Sequence, residues 1–348
     1  WSASGSYAVE VDVTPPDEPV VTAVRVTNRP RPVWTWRSGG GDGCGLFRRC
    51  LGSSAFPPTD TGAADTSYVP ASDLGNGRHV LYVQERDSLG NWSAAARCTV
   101  AVRPHVVFVD SAATGSRDGT SWHDAFTNID VAMQSPGPEM WVARGTYRTA
   151  GITLTNDALL GGFQGFEDDV ARDWQHNLSV LSGAVGGPGW ADNANPVVDI
   201  SQGGLLEGVV VVDGYTPFSQ GFVPPGSVWA HRGSVVRNCV IDLPTQGEMP
   251  DFCAQYGSTI YGCVFRNGLI QLNGYDDTLL LQDCVFLCSI ELTGSTVRFE
   301  NSTFLGPSLL YASLAVEVHN SAFAGGAECY VNSGNMETIG CHFDDSVS

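Results

Sequence analysis

Cys284 and Cys288, four residues apart in "LLLQDCVFLC", form the first chemistry-bearing pair in the chain. Thiols at this spacing can hold a metal, form a disulfide or attack a substrate, depending on what stands beside them. Zinc would need a Cys or His partner close by. His231, His319 and His342 fall at different places in the sequence pattern, and none forms a cluster with zinc spacing. Carboxylates are the second kind of candidate ligand-binding group. Glu291 and the pair Asp276 and Asp277 in "YDD" have the chemistry to carry protons or bind Ca²⁺. The favoured reading, however, makes Asp276–Asp277 a solvated turn and Glu291 a surface acid. No G-x-S-x-G nucleophile elbow occurs. "GGFQGFEDD" lacks the Lys-Ser/Thr pair of a phosphate loop. Asn91, Asn177 and Asn301 stand in N-x-S/T sequons. The sequence therefore implies no cofactor and no dedicated metal site, beyond weak calcium binding.

That calcium expectation comes from the charge balance. The 348 residues carry 37 acids against 18 bases, a formal charge of −19, and every strong base is arginine. So acidic a surface repels phosphate backbones and anionic lipid, which argues against nucleic-acid partners. No apolar run reaches the roughly 18 residues of a membrane span, and no signal peptide is present. Forty-one glycines with abundant Val and Thr favour an all-β, turn-rich protein.

The elements that position these residues emerge from a repeat. From Leu205 onward, "LEGVVV", "VRNCVI", "IYGCVF", "LQDCVF", "FENSTF", "VHNSAF" and "TIGCHF" align on one small residue: Val209, Cys239, Cys263, Cys284, Ser302, Ser321 and Cys341. These positions are 30, 24, 21, 18, 19 and 20 residues apart. Before each comes Gly208, Asn238, Gly262, Asp283, Asn301, Asn320 or Gly340, the residue types that tolerate a left-handed backbone at least cost. Two positions after it comes Val211, Ile241, Phe265, Phe286, Phe304, Phe323 or Phe343. The pattern predicts a strand, a sharp corner of positive φ, and a new strand whose first inward residue is small and whose second is large. A turn of this length cannot bury such a face alone, so successive turns must stack, as a right-handed parallel β-helix. The leucine spacing of a leucine-rich repeat is absent. Cys284 is then a buried slot, Asp283 a corner, and Cys288 has no assigned place. Cys263 and Cys284, stacked in adjacent coils, are read as buried thiols, with a disulfide as the competing reading.

The amino-terminal part has its own repeat. "WSASGSYAVEV" at residue 1 matches "WSAAARCTVAV" at residue 92. Tyr7, Val9 and Val11 alternate as a strand would, so residues 1–13 read as the last strand of a preceding domain, and as a strand available for assembly. A frayed tail is the competing reading. After the linker "TPPDEP", residues 14–103 hold short strand-like runs separated by Gly, Pro, Asn and Asp. "HVLYVQERDSLGNWSA", with "PVWTW" and "TSYVPASDL", resembles the Ig-like β-sandwich repeats of bacterial surface and secreted proteins. That resemblance implies a spacer or an adhesive stalk. Cys98 is expected to point inward, and pairing among Cys44, Cys50 and Cys98 stays open.

Residues 104–348 form the third segment. Ser121 and Asp124 make a capping signal, and Trp122, Ala125, Phe126, Ile129, Ala132 and Met133 recur at helical spacing, which predicts an N-terminal capping helix. "VFVDSAATGSRDGTSWHDAFTNIDVAM", "MWVARGTY" and "LLGGFQGFEDDVARDWQHNLSVLSG" resemble the start of β-helix domains in the pectate-lyase-like superfamily of secreted bacterial proteins. Pectin-degrading members work with clustered Asp and a basic residue on the outward face of the strand before this corner. The outward centres of that face are read as Ala230, Ala254, Gln271 and Glu291, one acid and no base. Polygalacturonase signatures are absent. The expectation is a secreted or surface-displayed bacterial protein with a structural or adhesive role. It would self-associate end to end through the N-terminal strand and an uncapped last coil, and contact glycans. The alternatives are a polysaccharide lyase or hydrolase, and a glycan-binding module marked by exposed aromatics on one sheet.

Overall fold

Alternation sets the first core. In "WTWR", Trp34 and Trp36 are buried while Thr35 and Arg37 are exposed, as period-2 side-chain direction requires. The computed structural model describes all residues except 1–4, 6–10, 136, 187–191, 216–225, 243–250, 256, 275–277, 295, 306–308, 313–314, 332–334 and 345–348. It divides into two compact units, Trp1–Pro104 and His105–Ser348. In the first unit β1 (Val20–Ala23), β2 (Val26–Thr27), β3 (Trp34–Arg37), β4 (Gly43–Leu51), β5 (Ser67–Tyr68), β6 (Gly77–Asp87) and β7 (Ala96–Val102) form two sheets. Their orders are β1-β3-β5 and β2-β7-β6-β4. Trp34, Trp36, Phe47, Leu81, Val83, Val100 and Val102 form a common core, with Cys98 packed against it. Cys44, Cys50 and Cys98 are all free thiols. Tyr7 and Val9 lie outside the described residues, and Val11 is 73 % exposed and belongs to no strand.

The second unit is a stack of parallel strands in three faces, a parallel β-helix. The first face orders ten strands from β8 (Val106–Val109) to Met336–Ile339. The second runs from Gly145–Arg148 to His342–Phe343, and the third from Ile152–Thr155 to Glu328–Val331. One coil passes through Leu205–Glu207 on the first face, Val209–Val212 on the second and Val228–Ala230 on the third, returning at Val235–Arg237. Crossovers between parallel strands are right-handed almost without exception.

From Leu205 onward, every described corner from the first face to the second is left-handed. Gly208, Asn238, Gly262, Asp283, Asn301, Asn320 and Gly340 have φ of 69°, 54°, 61°, 55°, 50°, 48° and 68°. Glycine at 262 has a second reason: a Cβ there would lie 2.7 Å from the Asn238 side-chain oxygen of the coil before. The residue after each corner faces in. Cys239, Cys263, Cys284, Ser302 and Ser321 are buried, as are Phe265, Phe286, Phe304 and Phe323. The four phenylalanines and Phe343 stack one per coil at centroid separations of 5.4, 5.0, 4.4 and 4.9 Å. Each buried ring contributes about 1.5–3 kcal/mol. Phe343, in the last described coil, is 46 % exposed.

The small slot does more than fit. From Cys239, Cys263, Cys284, Ser302, Ser321 and Cys341 the thiol or hydroxyl donates to the carbonyl two residues earlier, at 3.2, 3.3, 3.2, 3.1, 2.8 and 3.7 Å. Each of these carbonyls also accepts the backbone N–H of the corner residue one coil before, so the short Cys or Ser side chain adds a second donor to an oxygen with two lone pairs. Ser302 and Ser321 also accept the backbone N–H of the slot residue one coil before, at 3.3 and 3.0 Å.

The expected helix over 122–133 shrinks to one turn, α1 (Ile129–Ala132), capped by Asn128. Tertiary pairing overrides the helical spacing. The N–H of Phe126 donates to the Phe108 carbonyl, that of Asp110 to the Phe126 carbonyl, and that of Phe108 to the Gly119 carbonyl, so this loop pairs with the outer edge of β8. The apolar positions are buried all the same. Trp122 packs on Phe108 and Phe163 at 5.0 and 5.4 Å, and its indole N–H donates to the Glu167 carbonyl. Ser121 and Asp124 exchange hydrogen bonds as a capping box would, but they close a loop.

The Asp124 carboxylate is pulled down to about 2, first by the Ser116 N–H and then by His123 and Ser121. Its stabilisation is complete above the ordinary carboxylate range and is lost as pH falls toward 2. Thermal melts of Asp124→Asn and the parent should differ at pH 7 and converge through that interval. At the corner of Asn301, Asn301→Gly should leave the denaturation midpoint nearly unchanged. Asn301→Val should cost about 1–2 kcal/mol.

Candidate functional site

The outward surfaces of the three faces differ in chemistry. On the first face part of the charge is paired. Arg172 and Arg237 both reach Glu207 at 2.6 Å, and Arg298 pairs with Glu317 across adjacent coils. On the second face the outward row runs Val210, Val240, Val264, Val285, Thr303, Ala322 and His342, mostly β-branched residues suited to a pleated surface, with polar groups at Thr303 and His342. Beside it Arg266 is held by Asp242 at 3.0 Å.

The third face is different. Register places Thr153, Asp199, Trp229, Cys253, Gln271, Glu291, Tyr311 and Tyr330 in one row, one residue per coil. A second row two residues on contains Thr155 and Ser201 in one stretch, and Gln255, Asn273 and Thr293 in another. His231 follows the strand of Trp229, and its Nε2 lies 3.0 Å from an Asp199 carboxylate oxygen. The Trp229 and His231 rings sit 4.2 Å apart at 36°. The Asp199–His231 pair thus braces one side of the indole. Cys253 donates to the Gln271 side-chain oxygen at 3.6 Å. Burial, and then the Glu291 charge, push this thiol up to about 12, so it stays protonated and is no nucleophile.

Glu291 therefore does face outward, half-buried, and among the described residues it has no ion-pair partner. Gln271 is its neighbour. Ala230 and Ala254 do not belong to this row. Both are fully buried, and the outward positions are Trp229 and Cys253, one residue earlier. The alternation is sound but its phase is shifted, because no corner residue marks the start of a third-face strand and a one-residue slip reverses every side chain. Trp229 was missed for that reason. Asp276 and Asp277 lie outside the described residues.

Cys284 and Cys288 occupy separate core positions. They alternate inward on either side of Phe286, and Cys288 packs in the core of the same strand. Burial pushes each up to about 12, helped at Cys284 by Asp283 and at Cys288 by Asp251. Cys263 is raised as well, by burial and by the neighbouring Cys239 and Cys284. All three are free thiols. Among the described residues one gathering of carboxylates brings ligand atoms within 4.8 Å of one another: Asp12, Asp42 and Asp87 in the first unit. Asp87 is occupied there by the N–H groups of Leu89, Gly90 and Asn91 and by the Asn91 side chain. Its residues are too far apart in sequence for spacing to reveal the group.

No family model and no curated protein matches the chain. Among solved structures, it is similar to the Yersinia enterocolitica family 28 exopolygalacturonase at 10 % identity. The alignment covers 94 % of this chain and 81 % of that one, with a TM-score of 0.29. The strand registers, and not this likeness, carry the fold described above. No helix among the described residues is long and apolar enough to cross a membrane.

The thiols allow a direct check of the coil geometry. In the folded protein, a thiol-reactive reagent should modify exposed Cys44 readily and leave Cys239, Cys253, Cys263, Cys284 and Cys288 unlabelled until denaturant is added. Peptide mass mapping reads the order.

Proposed function

We propose that the protein binds polysaccharide along the third face of its β-helix, with Trp229 as the stacking platform. The observation that carries this is the outward row of Asp199, Trp229, Cys253, Gln271 and Glu291, in which His231 and Asp199 brace the indole. An aromatic ring with a polar surround suits a sugar, whose apolar C–H face stacks while its hydroxyls take hydrogen bonds. Coils rise by ~4.8 Å, close to the length of one sugar unit in an extended chain. A glycan lying along the axis would therefore meet one outward residue per unit.

Binding suits this face better than cleavage. Asp199 and Glu291 stand four coils apart, roughly 19 Å at that rise. Paired glycosidase carboxylates sit about 5–9.5 Å apart. In this reading the β-helix is a rigid glycan-holding rod and the first unit an Ig-like spacer, on a protein working outside a bacterial cell. Their sequence resemblances support those assignments.

Trp229→Ala should weaken retention on a polysaccharide-containing native gel about tenfold, equal to about 1.4 kcal/mol of lost stacking and contact. The thermal midpoint should stay near the parent's, because the indole lies on the outward side of its strand. Unchanged migration of the parent across a broad panel of soluble polysaccharides would refute the reading.

A further inference from the structure

The charge of the third face bears on which glycan it accepts, an inference that rests on the binding face proposed above. We infer that the ligand is a polysaccharide without carboxylates, and that amine-bearing chains bind more tightly than neutral ones while uronate chains are excluded.

The row around Trp229 carries two carboxylates. Asp199 lies 3.0 Å from His231 Nε2, while Glu291 has no ion-pair partner among the described residues. The other outward positions from Thr153 to Glu291 are Cys253 and Gln271, and the register row beside them reads Thr155, Ser201, Gln255, Asn273 and Thr293, with His231 in the Trp229 coil. Neither row contains an arginine, and the protein has no lysine. Four arginines near the neighbouring faces are already committed: Arg172 and Arg237 to Glu207, Arg298 to Glu317, and Arg266 to Asp242; Arg148, in the first second-face strand, is exposed. Arg232 follows His231 but lies in the turn toward the first face, where its stem runs past Gly257 of the next coil.

A uronate chain brings one carboxylate per sugar. Along this row each would lose hydration beside Asp199 or Glu291 without a guanidinium to replace it, and like charges at such range repel. The formal charge of −19 over the whole chain adds a longer-ranged repulsion at low salt. A neutral chain escapes both costs and finds acceptors for its hydroxyls. An ammonium group near Glu291 gains a charge-assisted hydrogen bond. The face thus selects by sign of charge as well as by shape.

The test is affinity electrophoresis and calorimetry of the whole chain, at low and moderate salt. The probes are hydroxyethylcellulose as the neutral chain, chitosan as the amine-bearing chain and polygalacturonate as the uronate chain. The expected order is chitosan, then hydroxyethylcellulose, with no measurable polygalacturonate binding. Binding to the first two should fall about tenfold in Trp229→Ala. Glu291→Gln should lower the ratio of chitosan to hydroxyethylcellulose affinity about threefold, the range of a solvent-exposed charge pair. Circular dichroism of both variants checks that they fold. Polygalacturonate binding as tight as the neutral chain's, and sensitive to Trp229→Ala, would overturn the charge selection while leaving the binding face intact. Chitosan binding that ignores both substitutions would mark diffuse attraction to an acidic protein and overturn the role of Glu291. Absence of Trp229-dependent binding to all three would remove the binding face, and this inference with it.

Discussion

A coil of about twenty residues has an inward face it cannot bury by itself, and everything in the second unit answers that constraint. Burial comes only from the coils above and below, so each inward residue must meet its equivalent at the spacing of backbone hydrogen bonds. The phenylalanines from Phe265 to Phe343 meet it by stacking ring on ring. The corner must then turn the chain within one residue, which requires positive φ. Cys or Ser then adds a second donor to the carbonyl two residues back, which already takes a backbone N–H from the coil before. Corner, slot and ring form one device. Its regular repetition fixes the register from which the outward rows follow.

The same device explains what could be read from sequence. Asn238, Asp283 and Asn301 stand out because few residue types accept their backbone, and Phe286 or Phe304 because the inward space is large. The slot was legible as small, but its role as a hydrogen-bond donor was not, since the carbonyl it serves appears only once the corner is built. The third face has no such mark. Its strands begin after connections of variable length, so sequence alone leaves the phase open at Ala230 and Ala254, and a shift of one residue turns Trp229 inward. The stretch from Trp122 to Met133 misled differently. Its apolar spacing fits a helix, but a loop pairing with β8 buries the same residues and also satisfies the edge of that strand. Cys288 became legible once strand alternation was carried through from Cys284 and Phe286.

With no lysine, the protein uses a small stock of arginine, and its placement shapes the surface. Arg172, Arg237, Arg266 and Arg298 lie against carboxylates on the first and second faces. Arg48 and Arg49, in the first unit, lie over the rings of Trp92 and Tyr68. Among the described residues of the third-face row, Asp199 has a histidine beside it and Glu291 no ion-pair partner.

Register has one more consequence. Residues that are neighbours along the axis are about a coil apart in sequence, so a row on the surface is written at intervals, one letter per coil. Adding or losing a whole coil would lengthen or shorten every row at once without changing the width or the chemistry of any face. Loop insertions between the second and third faces would leave the rows untouched. For a fold of this kind, the reach of a surface is set by copy number and its character by single letters, and evolution can vary the two separately.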